Sequence, residues 1–84
     1  MIVTVFTKPG CPPCHATKRL LTKLQIPHTV IDVTEDAEAL TYVKSLGYSG
    51  APVVLAESGS GVQHWTDFRE GRIRALSRES GGSK

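Results

Sequence analysis

Short, mostly apolar stretches alternate along this chain with segments whose apolar residues recur every three or four positions. Ile2, Val3, Val5 and Phe6 fill the stretch Ile2 to Thr7, and Lys8-Pro9-Gly10 ends it, which predicts a buried strand. From about Pro13 to Gln25, Leu20, Leu21 and Leu24 fall at helical spacing, with Lys18, Arg19 and Lys23 elsewhere on the wheel and Pro27 as the stop. That pattern predicts an amphipathic helix with a basic face. His28 to Val33 carries Val30, Ile31 and Val33, the β-branched content of a second strand. Strand, helix and strand together have the length of a right-handed parallel crossover.

Thr34 is the expected N-cap of a second helix, with Glu35, Asp36 and Glu38 in its positive first turn and Leu40, Val43 and Leu46 on its apolar face. Gly47 stands where a helix-ending left-handed residue belongs. Beyond Gly50-Ala51-Pro52, Val53-Val54-Leu55 predicts a third strand, Glu57 to Gly61 a hairpin loop, and Val62 to Thr66 a fourth strand. Asp67 with Glu70 reads as a capping box opening a last helix through Ile73 and Leu76. The order is βαβαββα, in one domain over residues 1–78 with a flexible tail at 79–84.

Composition narrows the function classes. With 84 residues there is room for one small domain, and 39% hydrophobic content, 21% charged content and a net charge of +2 belong to an ordinary globular protein. That charge argues against a dedicated nucleic-acid binder. The longest apolar run is Val53 to Ala56, and no basic segment precedes an apolar stretch at the N-terminus, so neither a membrane span nor a signal peptide is expected. Two cysteines, Cys11 and Cys14, are too few for a disulfide-stapled secreted scaffold. Closing so short a loop stabilises by only about 2 kcal/mol in the chain-entropy account, so stability is a poor reason for the spacing.

Chemistry is a better one. Met1 to Ile31 holds Lys8, Lys18, Arg19 and Lys23 and no acid, whereas Asp32 to Trp65 holds five acids against Lys44. A thiol reacts as thiolate, which cations and a helix N-terminus favour, and Cys11 has both. Cys14, three residues on, faces the same side of the first turn, within reach of a mixed disulfide formed at Cys11. Pro12 and Pro13 stiffen the backbone but remove two N–H donors, so the Cys11 pKa is expected to be lowered without being extreme. Two other readings fit the residues: Cys11 to His15 matches the C-x-x-C-H pattern of haem attachment, and small soft-metal carriers also place C-x-x-C after a first strand. Haem would need a second axial ligand, for which the only methionine is Met1, and the metal carriers run βαββαβ. Thiol redox chemistry is favoured over both.

The chain resembles the NrdH redoxins, glutaredoxin-like proteins of thioredoxin-like fold. The resemblance runs to about Leu76. It is carried by Val3-Thr4-Val5-Phe6-Thr7-Lys8-Pro9 before Cys11, by Leu46-Gly47-Tyr48 with Ala51-Pro52-Val53-Val54, and by His64-Trp65-Thr66-Asp67-Phe68-Arg69. The last is similar to the family's Trp-Ser-Gly-Phe-Arg-Pro stretch, which stands where ordinary glutaredoxins have a Gly-Gly-containing glutathione site. The chain departs from the family at Pro12-Pro13, where Val-Gln or Met-Gln is common, and at Thr66 for Ser, Asp67 for Gly and Glu70 for Pro.

The resemblance implies a central four-stranded mixed sheet flanked by three helices. It implies Cys11 as attacking thiolate, Cys14 as resolving thiol and a redox-active Cys11–Cys14 disulfide, with no bound cofactor or metal. It further implies a cis Pro52 beside the cysteines, presenting the Ala51 backbone to a partner, with Lys8, Pro12 and Pro13 also at the partner surface. From composition alone, Lys8 is a solvated loop lysine, Pro52 a trans proline opening a strand and Trp65 a core tryptophan. The family instead has Trp65 and Arg69 tie the last helix to the preceding loop. His15 is expected to face solvent, and His28 and His64 to be structural. The implied activity is that of a cytoplasmic, monomeric electron carrier to a class Ib ribonucleotide reductase, recycled by NADPH through thioredoxin reductase. A glutaredoxin using glutathione or another small thiol, or a metal-binding module, are the alternatives.

Overall fold

The computed structural model describes residues 1–79, so 80–84 of the tail expected at 79–84 lie outside the described residues. Strands β1 (Ile2–Thr7), β2 (Thr29–Asp32), β3 (Val53–Ser58) and β4 (Gly61–Thr66) alternate with helices α1 (Pro12–Lys23), α2 (Ala37–Ser45) and α3 (Glu70–Glu79) in the order βαβαββα. The sheet order is β2-β1-β3-β4, with β1 parallel to β2 and the other two pairings antiparallel. This is the thioredoxin-like architecture.

Alternation along β1 and β3 sends side chains to two separate cores. Val3, Val5, Val54, Ala56 and Trp65 pack with Leu20, Leu21, Ile73 and Leu76 of α1 and α3 on one face. Phe6, Val53 and Leu55 pack with Ala39 and Val43 of α2 on the other. Both faces of the central strands are therefore covered, which is why β1 and β3 read as near-continuous apolar runs. Val5, Leu21, Val43, Ile73 and Leu76 are fully buried, each contributing roughly 1.5–3 kcal/mol of transfer free energy.

Local chemistry sets the helix ends. At α1, Gln25 takes φ 59° while its amide bonds to the Thr22 carbonyl and the Ile26 amide to the Leu21 carbonyl, a Schellman stop. The α2 stop has the same form, with Gly47 at φ 98° as its sequence position predicts. The α2 start differs from expectation: Asp36, not Thr34, is the N-cap, its carboxylate accepting from the Ala39 amide at 3.0 Å. Thr34 is already engaged, because its amide and its hydroxyl both donate to Oδ1 of Asp32, at 2.8 and 2.6 Å. The last helix also differs. It opens at Glu70, with the Arg69 carbonyl accepting its first bond from Ile73, so Asp67 is not its cap. Asp67 adopts φ 70° and donates its amide to the Pro52 carbonyl at 3.2 Å, which holds it to the end of the sheet instead. The helix also includes Glu79, the first residue of the expected tail.

Candidate active site

At the sheet end where β1 terminates, Pro9 and Gly10 reverse the chain into α1. Gly10 supplies the required left-handed conformation at φ 65°. Cys11 is thereby the N-cap of α1, with Pro12 and Pro13 in the first two helical positions. Prolines suit those positions, whose amides have no intrahelical partner. Because neither can donate, the first amide able to reach the Cys11 sulfur is that of Cys14, and it does so at 3.2 Å. Cys11 and Cys14 are joined as a disulfide with their Cα atoms 5.2 Å apart.

Cys11 is only 3% exposed and Cys14 is fully buried. Cys11 is thus less open than a cysteine at the lip of a helix is expected to be. Its sulfur is drawn inward by the Cys14 amide and by the bond to Cys14. What accessibility the pair retains belongs to Cys11.

The Ala51–Pro52 peptide bond is cis, as the family resemblance implies. Register places it at the same sheet end, since Phe6 pairs with Val53 and Val53 with Thr66. The Pro52 carbonyl is held from β4 by the Thr66 hydroxyl at 2.9 Å and by the Asp67 amide. Pro52 is buried and Ala51 half-buried, while Lys8 and Pro12 are exposed and Pro13 is half-buried. Trp65 lies in the core at 3% exposure, with the Arg72 guanidinium 4.6 Å from its ring centroid. Arg69 bonds through Nε to the Thr66 carbonyl, joining the start of α3 to the end of β4. His15 is exposed, His28 bonds the Ile26 carbonyl and His64 bonds the Tyr48 hydroxyl at 2.8 Å.

Three contributors were not singled out from sequence: Thr66 on the Pro52 carbonyl, Arg72 on Trp65, and Thr17, whose buried hydroxyl has no partner among the described residues. Only Thr17 leaves a signal in the sequence, as a polar residue on the apolar stripe of α1. A depression of about 500 Å³ lined by Met1, Pro27, Ser58, Gly59, Ser60 and Glu79 lies at the opposite sheet end. Volume therefore does not mark the site; chemistry does. Among the described residues no group of three or more His, Cys, Asp or Glu could hold a metal ion, and no helix is long and apolar enough to cross a membrane.

Residues 3–59 match the glutaredoxin family model. This chain belongs to the glutaredoxin family. Its Cys-x-x-Cys pair, Cys11 and Cys14, stands at disulfide distance. It is 33% identical over 76 residues to the glutaredoxin-like protein NrdH of Escherichia coli strain K12, covering 90% of this chain and 89% of that one. The solved E. coli NrdH-redoxin, described by a thioredoxin-like activity profile, superposes with a TM-score of 0.82 at 32% identity, over 90% of this chain and 95% of that one. The gene 56 protein of Mycobacterium phage D29 is 39% identical over 56 residues, 66% of this chain. The match spans 62% of that phage protein's length, and 55% of its counterpart's in phage L5.

Proposed function

We propose that this chain is a dithiol–disulfide oxidoreductase acting as an electron carrier to a class Ib ribonucleotide reductase, itself recycled by NADPH through thioredoxin reductase. In its reduced form the Cys11 thiolate attacks a partner disulfide, forming a mixed disulfide and releasing one partner thiolate. Cys14 then attacks the Cys11 sulfur, closing the internal disulfide and releasing the second partner thiol. Two electrons pass to the partner, and the Cys14 proton goes to the leaving thiolate. Lys8, Pro12, Pro13, Ala51 and Pro52 form the partner surface, and Trp65 and Arg69 support it from behind. The carrier works as a cytoplasmic monomer with no prosthetic group of its own.

The observation that carries this reading is similarity to E. coli NrdH-redoxin over nine-tenths of both chains. The β4–α3 junction supports it, because Trp65 is packed into the core and Phe68, 37% exposed, stands where a glutathione groove would need open backbone donors. One observation favours the glutaredoxin alternative. Asp67 is not consumed as a helix cap, and among the described residues its carboxylate makes no hydrogen bond. The deciding experiment follows NADPH oxidation with an artificial disulfide, supplying either thioredoxin reductase from the same organism or glutathione with its reductase. Turnover is expected with the first and little with the second. Comparable turnover with glutathione, or none with thioredoxin reductase, would establish the alternative in its place.

A further inference from the structure

Thr17 lies one turn along α1 from Cys14 on the same buried face, and both residues are fully buried. A helical threonine ordinarily spends its hydroxyl on the carbonyl three or four residues back. The Thr17 hydroxyl does not, and among the described residues it reaches neither sulfur of the disulfide nor any other partner. A buried hydroxyl left unpaired costs free energy that a valine of the same shape would avoid. In the oxidised protein, then, this side chain is a liability.

Reduction changes what it faces. Two electrons and two protons cleave the Cys11–Cys14 bond, and the Cys14 sulfur becomes a thiol or thiolate where water does not reach. Residues three apart on a helix have neighbouring side chains, so Thr17 is a neighbour toward which the freed Cys14 sulfur can turn. We propose that Thr17 is a positioning residue for Cys14: its hydroxyl is the hydrogen-bond partner of the Cys14 sulfur in the reduced protein and stands idle once the disulfide closes. The bond steadies the sulfur before attack and favours the dithiol over the disulfide. Trp65 Nε1 is likewise buried without a partner among the described residues. It can only donate and sits on β4, whereas one rigid helical turn joins Thr17 to Cys14.

The inference rests on the Cys11–Cys14 pair being redox-active, and dithiothreitol tests both without a natural partner. Its thiolates reduce the disulfide and it closes to its own cyclic disulfide, so the equilibrium constant is read directly. Thr17→Val is expected to lower the constant for reduction about three- to tenfold, leave the thermal midpoint of the oxidised protein unchanged or higher, and lower that of the reduced protein. Thr17→Ser should restore the wild-type constant. The pair Thr17→Ser and Thr17→Ala differs only by the hydroxyl, and keeps the test open if the valine variant misfolds. Equal loss of stability in both redox states, or an unchanged constant in a wild type that cycles, overturns the role of Thr17 alone. A wild-type pair that does not cycle removes the oxidoreductase reading and this inference with it.

Discussion

The hydroxyl of Thr66 donates to the carbonyl oxygen of Pro52 at 2.9 Å, tying the end of β4 to the cis-proline loop. The family's serine at this place can make the same bond, so the Ser-to-Thr departure conserves the chemistry that matters. Thr66→Val should cost about 1 kcal/mol and lower turnover of a protein disulfide, while Thr66→Ser should stay near wild type. Denaturant midpoints and initial rates on the three proteins check this; equal behaviour of the valine and serine variants would refute it.

Asp67 adopts φ 70°, a conformation in which a side chain is strained and glycine is not, which fits the glycine of the family pattern that the chain resembles. Asp67→Gly is expected to match or exceed wild-type stability, and Asp67→Ala to lose about 1 kcal/mol. Urea unfolding gives the order, and an alanine variant as stable as the glycine variant contradicts the account.

Pro13→Ala restores an amide in the second position of α1, where N-cap side chains commonly find a donor. At present the Cys14 amide alone bonds the Cys11 sulfur from that turn. The added donor should favour the Cys11 thiolate and so move the pH profile of its alkylation to lower pH. The same change should make the disulfide easier to reduce. Profiles that coincide for variant and wild type would count against it.

The asymmetry between the cysteines predicts their behaviour in trapping. Cys14→Ser should hold a partner on Cys11 as a mixed disulfide stable without reductant, and Cys11→Ser should hold none, since Cys14 is fully buried. Gel mobility under non-reducing conditions reads this directly, and a mixed disulfide on Cys14 alone reverses the assignment.

Local rules made much of this legible. The periods of Ile2 to Thr7 and of the Leu20-Leu21-Leu24 face needed only neighbouring residues, as did the Gly47 stop and the place of Cys11 before a helix. Thr34 misled because two side chains competed: Asp32, close enough in the chain to bond it, took the hydroxyl that would have capped α2. Asp67 misled for a longer-range reason, since its amide answers to Pro52, which sequence places far away.

By itself, then, the sequence determined the βαβαββα order, the cysteine pair at a helix start and, through its resemblance, the glutaredoxin-like fold. These depend on patterns within one turn or one strand, or on motifs that can be read as strings. Only the tertiary structure decided the depth of Cys11, the Arg72 guanidinium over Trp65, the Thr66 bond to Pro52 and the unpaired Thr17 hydroxyl. Each depends on which groups meet after the sheet has closed in the order β2-β1-β3-β4 and covered both faces. A hydroxyl has no lack of partners in an open chain in water; it loses them only when packing excludes water and brings no acceptor in its place.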